Sequence, residues 1–120
     1  MKKKLLLLIL FFAIRAYGYL IDGYVYWGTM GNTVVKNGPV FLYTDTTSSP
    51  IDTFCITPNG YYSFTVPSGV YWVKGIGLDP TGSTMWWKRS VYYRIEVIDT
   101  DKYQIIRVET RVDDPRICGP

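Results

Sequence analysis

The chain has 120 residues, 13 basic and 10 acidic side chains, and no histidine. That length carries one domain around one core. The missing imidazole excludes a Ser-His-Asp triad, a Cys-His dyad and the usual zinc sites.

Lys2, Lys3 and Lys4 precede an apolar run from Leu5 to Ile14, and Ala16-Tyr17-Gly18 follows with small residues at its first and third positions. This is the layout of a secretory signal peptide over residues 1–18. The competing reading is an uncleaved membrane anchor. A spanning helix needs about twenty apolar residues, and Arg15 ends the run before that length. The expectation is therefore an extracytoplasmic protein (secreted, periplasmic or at the cell surface), without a stable membrane anchor after cleavage. Four of the thirteen basic residues leave with the signal, so nine remain against ten acidic ones, a net charge of −1. Such a chain offers no phosphate-binding surface, and nucleic acid is not expected as a partner.

Residues 19–120 read as a single all-β domain, with turn signals about every ten residues. The first strand is expected at Tyr19–Trp27, with Gly23 as a bulge or close-approach site. Pro39–Thr44 is the second, starting on a proline where a strand tolerates one. Ile51–Thr57 is the third. Tyr61–Val66 and Val70–Ile76 alternate apolar and polar residues on either side of Pro67-Ser68-Gly69, which reads as a β-hairpin. Gly75–Ser90 reads as a long loop carrying Trp86 and Trp87. Val91–Ile98 and Gln104–Val112 read as a final hairpin. Setting Glu96 against Arg107 and Arg94 against Glu109 places opposite charges across it. Seven strands in this length imply a two-layer antiparallel sandwich with Greek-key connections.

Cys55 and Cys118 are the only cysteines. In an exported chain an even count indicates a disulfide between them. The competing reading is two unpaired thiols, one buried on a central strand and one in a frayed tail.

Four motifs occur in a telling order: Gly23 and Val25, Gly38 to Val40, Gly60 to Phe64, and Pro67 to Tyr71. Together they resemble the carboxypeptidase regulatory-like group, whose domains have the transthyretin-like (prealbumin-like) fold. The resemblance covers nearly all of residues 19–120 and implies fold more than function. Enzymes on related sandwiches, the hydroxyisourate hydrolases and intradiol dioxygenases, depend on histidines that this chain lacks. Glu96 and Glu109 are its only glutamates, and both fall on the expected charged outer face. Catalysis is therefore not expected, and no cofactor or metal is implied. Asp99, Asp101, Asp113 and Asp114 read as turn formers rather than calcium ligands.

Aromatic residues make up 17% of the chain. Tyr62, Phe64, Tyr71 and Tyr93 are expected in the core. Tyr61, Trp72, Trp86 and Trp87 are the candidate contact residues, with Trp27 also a candidate for exposure. An exposed indole suits a sugar ring or a protein hot spot. The competing reading folds the long loop over the sandwich and buries one tryptophan as a lid. Two functions follow. One is a non-catalytic module for protein interaction or structural assembly. The other is a small carbohydrate-binding module using exposed tryptophans, with Asp79 and Lys88 as polar neighbours.

Overall fold

The computed structural model describes residues 18–28, 33–78 and 86–118. The expected signal peptide therefore lies outside the described residues, apart from Gly18, and so does Asp79. The elements are ten strand segments: β1 (Tyr19–Trp27), β2 (Pro39–Tyr43), β3 (Asp52–Cys55), β4 (Tyr61–Val66), β5 (Gly69–Leu78), β6 (Trp87–Arg89), β7 (Tyr93–Val97), β8 (Lys102–Tyr103), β9 (Ile106–Val108) and β10 (Thr110–Val112). They form two packed sheets. In the first, β1 lies between β4 and the β8–β9 line. In the second the order is β10-β6-β5-β2-β3, with β7 also on β5.

Period-2 alternation sets which side chains meet between the sheets. Ile21 and Val25 of β1, Tyr62, Phe64 and Val66 of β4, and Tyr71 and Val73 of β5 are buried there. Val40 and Leu42 of β2, Ile95 and Val97 of β7, and Ile106 and Val108 of β9 complete the same core. Tyr93 is only partly buried against it.

Neither expected hairpin forms. β4 pairs with β1, and β5 pairs with β2, β6 and β7, so Pro67-Ser68-Gly69 turns the chain from one sheet to the other. Local alternation is the same in a hairpin and in such an arch. What decides is that both apolar faces must bury, and here each sheet lines one side of the core. The Tyr71 hydroxyl donates to the Pro67 carbonyl at 2.8 Å and closes the arch from inside. This is the geometry of a tyrosine corner.

The stretch after β7 behaves in the same way. β8 and β9 run parallel to β1, with Asp22 beside Tyr103 and Val25 beside Ile106. The expected all-antiparallel arrangement therefore does not hold on this side. The turn is pinned to β1 by its aspartates: the Tyr19 hydroxyl donates to Asp99 Oδ1, and the Leu20 amide donates to Asp101 Oδ1. Glu96 does not face Arg107. It makes an ion pair with Arg94 at 2.9 Å on its own strand, and Arg107 lies over the Tyr26 ring. At Glu109, whose amide donates to the Arg89 carbonyl, the chain leaves the first sheet, and β10 then pairs with β6 in the second. This crossing explains why Ile106 and Val108 are buried while Thr110 is exposed.

Gly23 allows the first sheet to close. A Cβ there would meet the Gln104 carbonyl oxygen at 2.1 Å. That same oxygen accepts a 2.7 Å hydrogen bond from the Tyr62 hydroxyl, whose side chain is fully buried. Tyr62→Phe deletes this bond in the core. We expect a loss of about 1–2 kcal/mol, measured by denaturant unfolding.

Cys55 and Cys118 form a disulfide with a sequence separation of 63. Cys55 lies on β3, an edge strand, and is exposed, not on a central strand as expected. β10 and β3 are opposite edges of the second sheet, so residues 113–118 form a strap from one edge to the other. Pro39, which pairs with Cys55, and Trp87, which pairs with Val112, point to the outer face of this sheet, and both are buried.

Candidate functional site

The two outer faces of the sandwich carry the aromatic residues that the core does not use. On the first sheet the register sets Ser63, Asp22 and Tyr103 in one row. Tyr61 and Tyr24 pair in the next. Tyr26 and Arg107 pair in a third. The Tyr61 hydroxyl donates to Asp22 Oδ2 at 2.7 Å. That bond to a carboxylate holds the Tyr61 hydroxyl above the ordinary phenol range. Tyr24 and Tyr61 meet edge to face, with ring centroids 5.6 Å apart. The Arg107 guanidinium lies 5.3 Å from the Tyr26 ring centroid and also donates to the Gly28 carbonyl. Tyr103 is 55% exposed, and desolvation together with the nearby Tyr26, Tyr24 and Asp22 raises its hydroxyl as well. The result is a sheet face of phenol rings with one carboxylate and one guanidinium set among them.

The second sheet offers a smaller patch beyond the strap. Tyr43, Trp72 and Arg94 share one row, and Phe41 and Lys74 the next. Lys74 Nζ sits 4.7 Å from the Tyr92 ring centroid and 5.7 Å from that of Tyr43. Tyr43 and Tyr92 meet edge to face at 5.2 Å. Burial first, and then Tyr92, push the Tyr43 hydroxyl up to about 12. A raised acid pKa means that the folded state favours the neutral phenol. Its stabilising share is present below pH 10 and is lost as pH rises toward 12. Tyr62 and Tyr71 are raised by burial in the same direction. Phenolate absorbance should therefore show a late-titrating class of tyrosines that shrinks, without vanishing, in Tyr43→Phe.

The four candidate contact residues do not come together. Tyr61 stands on the outer face of the first sheet and Trp72 on that of the second. Trp87 lies on β6, not in a loop, and is only 7% exposed. Its neighbour Trp86 turns to the other face of that sheet, where the Arg111 guanidinium stacks on it. Trp27 is half-buried against the core. Reading the sequence also missed Tyr24, Tyr26 and Tyr103. The signal for the first two was present in Asp22-Gly23-Tyr24-Val25-Tyr26, where Ile21 and Val25 claim one face and leave both rings on the other.

A shallow groove of about 300 Å³ opens between β7 and β8, lined by Arg94, Ile95, Glu96, Lys102, Tyr103 and Gln104. Glu96 is engaged with Arg94 beside it. Among the described residues no three His, Cys, Asp or Glu side chains are grouped to hold a metal ion.

No family model matches the chain, and no curated protein matches it. Among solved structures it is similar to the Bacillus anthracis TIE protein, with a TM-score of 0.57 and 16% identity over 76% of this chain and 17% of that one. A DUF3823 family protein from Parabacteroides merdae ATCC 43184 aligns with a TM-score of 0.47 and 15% identity, over 75% of this chain and 45% of that one. The chain thus spans less than half the length of either protein. The first likeness shows a shared β-sandwich fold and nothing about a ligand. The second is too loose in shape to carry an argument.

Proposed function

We propose that this chain is a non-catalytic secreted or cell-surface β-sandwich module for protein interaction or structural assembly, and that it works through the outer face of its first sheet. The observation that carries this reading is the cluster of Tyr24 and Tyr61 in one row and Tyr103 beside Asp22 in the next, all on that face. Phenol rings combine apolar area with a hydrogen-bonding tip and lose little side-chain entropy on binding, which is why they dominate protein contact surfaces. The disulfide supports an oxidising, extracytoplasmic setting. The chemistry of the side chains supports a non-catalytic role. The sequence has no histidine, and Glu96 is held in a surface ion pair.

The same reading keeps the chain close to the carboxypeptidase regulatory-like, transthyretin-like group. β6 and β7 both pair with β5, and β8, β9 and β10 follow one another with one- or two-residue breaks. Counted as two strands, these segments reduce ten to seven, the number in that fold.

Proteins recovered with the chain exported from its own cells test the function. Replacing Tyr24, Tyr61 and Tyr103 together by serine should reduce recovery by about tenfold or more, as expected when contact hot spots are lost. Unchanged recovery from a folded variant contradicts the reading. A second reading, polysaccharide binding, draws on Trp72 beside Tyr43, Lys74 and Tyr92 on the other face. It predicts a shift or quenching of tryptophan fluorescence with a polysaccharide, lost in Trp72→Ala. No change across a panel of polysaccharides excludes it.

A further inference from the structure

The edges of the two sheets differ in how they are protected. β7 carries Arg94 and Glu96, β8 begins with Lys102, and β10 carries Arg111. β3 has four residues, starts at Asp52 and is tied down through Cys55. Charges, short length and covalent ties are the usual means of keeping a sheet edge from pairing. β4 has none of them. It has six residues, and no charged residue occurs anywhere from Thr53 to Val73. Among the described residues β4 pairs on one side only, with β1.

The hydrogen bonds at its start reveal which backbone groups face the open side. The Val25 amide donates to the Gly60 carbonyl, so Gly60 faces β1. Tyr61 faces the other way: its amide donates to Thr57 Oγ1 at 3.1 Å, and its carbonyl accepts from the Thr57 amide at 3.0 Å. Backbone groups alternate in direction along a strand. Ser63 and Thr65 therefore turn their N–H and C=O groups to the open side, where β4 has no strand partner among the described residues.

We propose that β4 pairs antiparallel with β4 of a second copy of this chain, joining the two first sheets into one. Only registers that keep apolar side chains on the core face are allowed, because a one-residue slip turns every side chain over. Two such registers centre on the strand. Setting Ser63 against Ser63 would also need the backbone groups of Tyr61, which Thr57 already holds. Setting Ser63 against Thr65 of the second copy uses only the four groups on each strand that have no partner among the described residues. It places Phe64 beside Phe64 of the second copy at the two-fold axis, a self-complementary arrangement typical of symmetric dimers. No charges oppose it. It also runs the tyrosine face across both copies, so the inference rests on the assembly reading above and specifies its geometry. A contact of this length buries little area, which places it among weak, concentration-dependent interfaces.

Sedimentation of the full exported chain over about 1 µM to 1 mM should show mass rising from monomer toward dimer, the range that weak interfaces occupy. The Ser63→Lys/Thr65→Lys chain should stay monomeric, because lysines then oppose each other across the joint. The Ser63→Asp/Thr65→Asp chain should behave likewise, and an equimolar mixture of the two should dimerise. Amide exchange at Ser63 and Thr65 of the unmodified chain should slow as concentration rises, a readout that does not depend on any variant folding. A monomer at every concentration overturns the pairing, as does a dimer whose Ser63 and Thr65 amides exchange at an unchanged rate. So does a dimer indifferent to lysine at both positions. None of these results touches the loss of partner recovery on replacing Tyr24, Tyr61 and Tyr103, so the two proposals fail separately.

Discussion

Breaking the bond between Cys55 and Cys118 by replacing both with serine is expected to cost about 4 kcal/mol. The chain-entropy model gives that figure for a closed loop of this length, with native disulfides in small domains spanning about 2–5 kcal/mol. The sequence separation of 63 makes the loop a large part of the domain. A second effect adds to the first. The bond ties the segment that follows β10, whose Val112 pairs with buried Trp87, to β3, whose Cys55 pairs with buried Pro39. Releasing it should expose the indole of Trp87, so a red shift in tryptophan emission should accompany the fall in stability. Denaturant unfolding followed by fluorescence measures both. A double variant within about 1 kcal/mol of the parent would mean that the strap contributes little.

Gly23→Ala is expected to have a comparable effect for a different reason. Its Cβ would lie 2.1 Å from the Gln104 carbonyl oxygen, which is backbone and has no rotamer to escape into. β8 would have to move off β1, and the Tyr62 hydroxyl would lose its acceptor. Overpacking usually costs about 1–3 kcal/mol, and the lost buried hydrogen bond adds about 1–2 kcal/mol. The expected total of about 3 kcal/mol or more is measurable as a lower denaturant midpoint. Alanine is better than glycine in a strand by about 0.5–1 kcal/mol, which offsets only a small part of the clash. A variant as stable as the parent would show that β8 does not lie against β1 at Gly23.

These two sites also show what the residue pattern conveys. Gly23 reads as a close-approach site from its place inside an alternating strand, and Gln104 is the group that approaches. The alternation of Tyr61–Val66 and of Val70–Ile76 correctly places Tyr62, Phe64, Val66, Tyr71 and Val73 in the core. It does not tell which strand pairs with which, because an arch and a hairpin share the same local pattern. The tie between Tyr71 and Pro67 distinguishes them. A tyrosine four residues after a turn proline was visible, but its hydrogen bond was not. The charges at Arg94, Glu96, Arg107 and Glu109 suggested a pairing that never forms. Each finds a nearer partner, or solvent, once β7 and β9 take their places in opposite sheets.

The candidate site was legible in part. Tyr61 and Trp72 point away from the core, as the alternation of their strands implies, but they emerge on the outer faces of different sheets. Trp86 and Trp87 are adjacent in sequence, but adjacency does not place two rings on one surface. Alternation on either side of β6 separates them, and one is buried. Tyr24, Tyr26 and Tyr103 are less conspicuous residues. They become a surface only when β8 and β9 run parallel to β1, a long-range pairing that no local pattern encodes.

Whether the tyrosine face meets a partner can be measured with a photo-reactive phenylalanine analogue placed at Tyr103 of the chain in its own cells. A matched chain carrying it at exposed Ile51, on the far side of the sandwich, serves as the control. A defined cross-linked product is expected from position 103 and is absent from position 51. Cross-linking from Ile51 with none from Tyr103 would contradict this expectation.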